Sequence, residues 1–310
     1  MKLIFGIGNL PKGPQGSKVV AVGVFDGVHR GHQLVLKNVV AEARRRRIKS
    51  AVVTFIMHPS HVVTPDQKIP HLTSLEHRLV LLAQTGIDIC YVFDFTRRFA
   101  SLPAEFFVRS ILMEKIGMDS LYIGQDFVFG RGGRGDKTLL KKLSQKYHFE
   151  CHVLGPLKIT GRVVSSTLIR RLIQEGNLAA AKKFLGRPVT LMGQIARGEG
   201  RGRTLGFPTA NLRPHHEVFP PDGVYATQAF CQGRLFGSVT YVGTKPTFHP
   251  RRKKRGIEVY CFGLAKKLYK KTMEVRFIKR LHSDRKFASR QALAAHIKKD
   301  ILSAQRILSR

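Results

Sequence analysis

The stretch from Val19 to His32, VVAVGVFDGVHRGH, constrains the fold more than any other part of the chain. Val19 to Val24 is a continuous apolar run interrupted only by Gly23, which reads as a buried strand. Phe25-Asp26-Gly27 then turns the chain. From Arg30 to Arg47 the apolar residues fall at Leu34, Val35, Val39 and Val40, with Ala43 following, and that spacing is helical. His29 and His32 are therefore expected at i and i+3 on the first helical turn, where backbone N–H groups are unpaired and the helix dipole is positive. Such a helix start holds an anion. Gly31 between them lets a phosphate approach the backbone without meeting a Cβ. The plainer reading of paired histidines at this place is a surface or capping pair.

A chain of 310 residues is comfortable for two domains, and its 43% apolar content fits a globular protein. No run approaches the roughly 18 apolar residues of a membrane span. The opening MKLIFGIGNL breaks at Gly8-Asn9 with no cleavage pattern, so no signal peptide is expected. Cys90, Cys151, Cys231 and Cys261 lie far apart and form no metal-like pair, which predicts reduced thiols and a cytoplasmic protein. The net charge is +34. Both halves contribute, with 28 Lys and Arg against 13 Asp and Glu through residue 186 and 26 against 7 beyond it. Polyanionic partners follow, but charge alone does not separate nucleotides from weak, sequence-independent RNA contact.

Ser50 to Ile56 reads as a second buried strand leading into a turn at Met57-His58-Pro59, where His58 suits a capping role. A helix from Ser74 ends at Gly86, a strand follows at Asp88 to Phe93, and a helix is expected from Pro103 to Ile116. Alternation of this length predicts a parallel sheet with covering helices. Leu121 to Gly135, LYIGQDFVFGRGGRG, is a strand running into a glycine- and arginine-rich loop. With Lys137-Thr138 it imitates a P-loop, but Asp136 puts a carboxylate where phosphate would lie. One of Phe127 and Phe129 is expected in the core, and Asp126, a carboxylate among aromatics, needs a partner. In VVSSTLIR, Ser165 or Ser166 caps a helix that carries Thr167 and Arg170, so hydroxyls, free N–H groups and a guanidinium converge on one helix start.

Asn177 to Leu185 is a short helix stopped by Gly186, with Pro188 two residues on, and places a domain join between residues 1–186 and 187–310. Beyond it, strand-like segments at Val189–Ile195, Gly223–Phe230, Leu235–Val242, Ile257–Leu264 and Met273–Phe277 predict a small β-barrel, closed by a helix from Ser289 to Leu308. GEGRGRTLGFPTANL contains a flap of glycines and arginines whose N–H groups suit phosphate. Thr209 and Asn211 then alternate onto one face and offer oxygen ligands of the kind Mg²⁺ takes, unless the segment is only a turn into a strand. Glu258 is a lone acid in a strand of an intensely basic domain, and by itself reads as half of a salt bridge.

These blocks resemble a known family. HRGH resembles the HxGH signature of the nucleotidylyltransferase superfamily, and GVFDGVHRGH looks like the bacterial bifunctional riboflavin kinase/FAD synthetases. TFIMHP, GQDFVFG and VVSSTLIR are similar to blocks of the FAD synthetase module; GRTLGFPTAN, PDGVY, VGTKPTF and IEVY are similar to blocks of riboflavin kinase. The resemblance implies a Rossmann-like α/β nucleotidylyltransferase domain followed by a small antiparallel β-barrel with a C-terminal helix. It implies that the barrel phosphorylates riboflavin to FMN with ATP and Mg²⁺, and that the first domain adenylylates FMN to FAD with release of pyrophosphate.

In the first domain the resemblance implies catalysis by His29 and His32, ATP contacts from Gly23, Phe25, Asp26, Gly31, Ser165, Ser166, Thr167 and Arg170, and flavin contacts from His58, Asp126, Phe127 and Phe129. In the second it implies ATP contacts from Gly198, Gly200, Gly202, Arg203, Gly206 and Pro208, metal ligation by Thr209 and Asn211, and Glu258 as general base on the riboflavin 5′-hydroxyl. Lys245, Lys270 and His282 stand where the family usually has arginine, glycine and arginine. Two rival readings stay open at this point: a basic RNA-binding protein on an old enzyme fold, and a chain with one active module.

Overall fold

A computed structural model describes the chain except residues 12, 14–15, 68, 197–205, 215–216, 245–254, 265–268, 286 and 310. The chain divides into two compact units, Met1–His71 with Leu75–Ser166, and Leu72–Ser74 with Thr167–Arg310.

The first unit holds a six-stranded sheet of β1 (Lys2–Phe5), β2 (Lys18–Val22), β3 (Lys49–Phe55), β4 (Ile89–Phe93), β5 (Met118–Gly124) and β6 (Glu150–Leu154). Their order is β1-β4-β3-β2-β5-β6, and every pairing is parallel, while β7 (Lys158–Ile159) and β8 (Arg162–Val163) pair separately as a short antiparallel ribbon. Central strands of such a sheet are covered on both faces, which is why β2 and β3 read as unbroken apolar runs. Alternate side chains of β2 enter opposite cores, Val20 and Val22 on one face and Val19 and Ala21 on the other. The second of these cores takes Leu36, Val39, Val40 and Ala43 of α1 (Arg30–Arg45); the last three belong to the spacing that predicted the helix, whereas Leu34 of that pattern is exposed and Leu36 fills the core instead. Past α1 come the short α2 (Ser60–Val63), then α3 (Leu75–Ala83), α4 (Arg97–Ala100), α5 (Ala104–Phe106) and α6 (Lys137–Tyr147).

Three features depart from the sequence reading. The opening residues form the edge strand β1, with three of its four residues exposed. The helix expected from Pro103 is α-helical only through Phe106 and continues to Ile116 as a π-helix. Phe107, Ile111 and Ile116 are buried at intervals of four and five, wider than the α period, so the looser winding keeps them on the core. Asp136 sits at the N-cap of α6 and accepts from the Leu139 N–H at 2.8 Å, which accounts for the carboxylate that breaks the P-loop pattern.

In the second unit, β9 (Val189–Ala196), β10 (Ala210–Pro214), β11 (Gly223–Cys231), β12 (Arg234–Thr244), β13 (Arg255–Cys261) and β14 (Thr272–Ser283) close an antiparallel barrel in the order β10-β13-β12-β11-β14-β9. β11 and β12 form a hairpin turning at Gln232 and Gly233, both at positive φ as a two-residue primed turn requires. Thr227, Ser238 and Thr240 are buried together, and their hydroxyls satisfy one another at 2.7–2.8 Å. Lys270, one of the departures from the family pattern, has φ 64. That is the left-handed region glycine occupies without strain.

α7 (Ser166–Gln174) and α8 (Leu178–Leu185) precede the barrel, and α9 (Arg290–Leu308) follows it. The sequence places α8 before the join at Gly186. Its buried face of Leu178, Ala181, Phe184 and Leu185 nevertheless packs toward β9 and β14 of the second unit.

Candidate active sites in the two units

In the first unit the strands after β2 add to one side of it as far as β4, and β5 then returns to the other side. The crevice at the carboxyl ends of β2 and β5 is where such sheets bind ligands. A cavity of about 350 Å³ lies there, within the size range of small-molecule sites. Its walls include Val22 and Gly23 after β2, Gly124 to Phe127 after β5, and Leu154 to Leu157 after β6. Phe25, His29, Gly31 and His32 line it from one side, and Ser165 and Ser166 from another. The starts of α1 and α7 thus face the same space, and the Ser166 hydroxyl donates to the Asp26 carbonyl at 3.1 Å.

The turn into α1 is strained. Phe25 (φ 53) and the β-branched Val28 (φ 37) both hold left-handed backbone, at about 1–3 kcal/mol each. Both are buried, so packing over-determines the conformation. His29 is not on the first turn, as the sequence suggests, but at the N-cap: its Nδ1 accepts from the His32 N–H at 3.3 Å. Capping through Nδ1 does not exclude the phosphate role expected of the same ring. With Nδ1 an acceptor, the proton of neutral His29 resides on Nε2, leaving an N–H donor. The two imidazoles stack at 3.6 Å between centroids, and Phe25 meets His32 edge-on at 5.3 Å. A Cβ on Gly31 would come within 3.2 Å of the His29 ring and crowd it where it folds over the helix start. Burial pushes His32 well below its usual pKa, and the neighbouring His29 and Arg78 push the same way. At neutral pH His32 is an uncharged hydrogen-bonding group.

Arg78 was not legible as a functional residue. It is 1% exposed on α3, and donates to the carbonyls of Val24 at 3.0 Å, of Phe55, and of Ile56 at 3.3 Å. It thereby ties the ends of β2 and β3 beside the cavity. The available signal was an arginine three residues after Leu75 and four before Leu82, on the apolar face of its helix. Replacing Arg78 with methionine strands these carbonyls. We expect a loss of about 2–4 kcal/mol in denaturant unfolding of this unit.

The other expected residues separate. Phe129 is a core residue, stacked 5.4 Å from Phe127, which is half-buried and lines the cavity. Asp126 is exposed at the cavity wall rather than enclosed by aromatics, so water solvates its carboxylate and the argument that it needs a partner falls away. His58 is absent from the cavity lining. Its Nδ1 accepts from the Ser60 N–H at 3.1 Å at the start of α2, and its ring lies 6.3–6.5 Å from those of His61 and His71. Thr167 and Arg170 follow Ser166 on α7, with Arg170 one turn on and 9% exposed.

In the second unit a row of side chains crosses three strands. Asn211 of β10 pairs with Glu258 of β13, which pairs with Tyr241 of β12. Directly opposed residues share a face, and Thr209 lies two residues before Asn211. The Thr209 hydroxyl donates to Glu258 Oε2 at 3.2 Å, so Glu258 is not merely a lysine's partner. Phe207 packs edge-on against Tyr260 at 5.8 Å, holding the FPTAN segment on β13. Burial first, then Asp284, Asp222 and Glu258, raise Tyr241 to about 12, so its hydroxyl stays protonated. A Cβ on Gly243 would overlap that hydroxyl. Gly206 (φ 83) and Pro208 lead into the row, while Gly198, Gly200, Gly202, Arg203 and Lys245 lie outside the described residues.

Similarity to known proteins follows the same division. The FAD synthetase family model matches residues 12–168, and the riboflavin kinase model matches residues 185–308. The bifunctional riboflavin kinase/FMN adenylyltransferase of Escherichia coli K12 is 36% identical over 306 residues, 98% of this chain and 97% of that protein. The Bacillus subtilis protein of the same name is 35% identical over 305 residues, 97% of this chain and 96% of that one. A Streptococcus pneumoniae crystal structure, named as a macrolide-efflux protein, aligns with a TM-score of 0.85 at 29% identity over 98% of this chain and 99% of that one. Efflux is said of that protein; among the described residues no helix of this chain is long and apolar enough to cross a membrane. Two family models matched in order, and relatives aligned from end to end, show that this chain belongs to the bifunctional riboflavin kinase/FMN adenylyltransferases, with its FAD synthetase part first and its riboflavin kinase part second.

Proposed function

We propose that FMN is adenylylated in the cavity at the ends of β2 and β5, and that riboflavin is phosphorylated along the row Thr209, Asn211 and Glu258. The observation that carries the first assignment is the convergence of the α1 and α7 starts on one cavity at the switch point of the sheet. There an FMN phosphate oxygen attacks the α-phosphorus of ATP and pyrophosphate leaves. The Nε2–H of His29, His32, the Ser165 hydroxyl and the N–H groups at Ser165 and Ser166 meet the charge that grows on the phosphoryl oxygens, with Arg170 one turn along α7. Phe127 offers its exposed face to the flavin, and Asp126 a hydrogen-bond acceptor at the mouth.

At the barrel site Glu258 orients the riboflavin 5′-hydroxyl and takes its proton, while that oxygen bonds to the γ-phosphorus and ADP leaves. The Thr209 hydroxyl, the Asn211 amide and the Glu258 carboxylate put oxygen donors side by side, the set a hard divalent cation takes. Mg²⁺ held there by Thr209 and Asn211 would neutralise charge on the transferred phosphate. We place both reactions in the cytoplasm, because the four cysteines form no disulfide. RNA contact has no support beyond net charge and forms no part of the proposal.

Incubation with riboflavin, ATP and Mg²⁺ tests the assignment when done on the whole chain and on a fragment beginning at Asn177. The whole chain should yield FMN and then FAD, and the fragment FMN alone. A folded but inactive fragment would show that the kinase site takes residues from the chain before Asn177. A fragment beginning at Arg187 lacks α8 and uncovers β9 and β14; it should lose several kcal/mol, at about 1.5–3 for each large side chain exposed.

A further inference from the structure

α9 is held to the barrel by little apolar burial. Of its 19 residues only Asp300 and Ala304 are buried, and the shared apolar cluster centres on Ala226, Val239 and Ala304. A polar cluster midway along the helix is its other attachment. His282, on β14, directs Nε2 at both carboxylate oxygens of Asp300, 3.1 Å from each. His296 lies one turn before Asp300, with Nε2 3.9 Å from Asp300 Oδ1. The three ligand atoms lie within 4.8 Å of one another.

A hydrogen-bonded His–Asp pair explains part of this arrangement and leaves part over. The other nitrogen of His282, Nδ1, lies 2.7 Å from the Ser283 carbonyl, which accepts only, so Nδ1 carries the proton. Nε2 then faces a carboxylate, also an acceptor, and must bear either a second proton or a metal ion. A backbone carbonyl on the far nitrogen is the usual outer-shell support of a metal-bound histidine. The His296 Nε2 is buried with no hydrogen-bond partner, so a second proton on His282 leaves it unused. Ligand atoms around a tetrahedral zinc ion, with bonds of about 2.0–2.1 Å, stand roughly 3.3 Å apart, between the two separations seen here. The Phe287 ring lies 5.2 Å from His296, and the two imidazoles meet edge-on at 4.8 Å.

We propose that His282, His296 and Asp300 bind a divalent transition metal, zinc by donor type, which clasps α9 to β14. Two imidazoles and one carboxylate suit Zn²⁺ better than Mg²⁺, which prefers oxygen throughout. Three protein ligands leave the fourth position to water. The site lies apart from the Thr209, Asn211 and Glu258 donors in composition, and the inference does not depend on their assignment.

The full chain, stripped with a chelator, loaded with Zn²⁺ and desalted, should retain one more equivalent of metal than either His296→Gln or His282→Gln. Loading with Co²⁺ should give the intense visible bands of a four-coordinate ion in the parent and not in the variants. Zn²⁺ should also raise the thermal midpoint of the parent more than that of the variants. Either histidine variant suffices if the other fails to fold, and circular dichroism with riboflavin phosphorylation identifies the folded one. Equal retention by the parent and a folded variant overturns the proposal, whatever the histidines of the first unit bind. So does a parent that retains no metal.

Discussion

A His32→Ala variant should make FAD from FMN about a hundredfold or more slowly, while its phosphorylation of riboflavin stays at the parent rate. The reasoning starts from position. His32 is the third residue of α1, lies against the cavity and stacks on His29, so in the proposed reaction it faces the region where charge accumulates. Its low pKa makes it a neutral donor rather than a fixed cation, and the loss is that of a hydrogen bond formed in the transition state. His29 needs a different substitution. Alanine there removes the helix cap as well, at about 0.5–2 kcal/mol, and would mix stability with catalysis. Asparagine keeps a capping oxygen and removes the Nε2–H, so His29→Asn should fold like the parent and still lose FAD formation. Separate assays of FMN and FAD on each variant check both. FAD synthesis near the parent rate in His32→Ala would leave the stacked histidines with a structural role.

How far the sequence carried this site depended on whether local pattern or tertiary register decided the position. The β2–turn–α1 unit was legible because its central strand is buried on both faces and its helix has one apolar stripe. β1 was not, since an edge strand with three exposed residues has no periodic signature to read. Placing His29 at the cap instead of inside the helix required the backbone of Val28, whose positive φ no propensity predicts. Asp126 needs no partner because it turns out to solvent while Phe129 enters the core, which the aromatic sequence around it does not reveal. Arg78 looked like one of many surface charges in a basic chain. Only the three carbonyls it meets, from residues 22 to 54 positions away, give it a role.

The kinase row shows the same limit from the other side, because a residue alternation says which face but not which neighbours. Thr209 and Asn211 were legible as a pair on one face. That Asn211 stands opposite Glu258, and Glu258 opposite Tyr241, is a property of barrel registers set by closure. Within that row Glu258 is the one group able to accept a proton from a hydroxyl at neutral pH, since Tyr241 holds its own and Asn211 is an amide.

That uniqueness sets the largest effect expected in the second unit. Glu258→Gln keeps the side-chain length and still offers an oxygen to the Thr209 hydroxyl, so the β10–β13 pairing should survive. It removes the proton acceptor, and riboflavin phosphorylation should fall about a hundredfold or more, by the usual contribution of a general base. FAD formation from added FMN should be unchanged, which separates loss of the base from loss of the fold. A Glu258→Asp variant keeps the base but withdraws it by one methylene, and should lie between the parent and Gln. A Gln variant with the parent's rate would assign the proton to solvent. The hydrogen bond from Thr209 would then be a device for holding FPTAN on the barrel and nothing more.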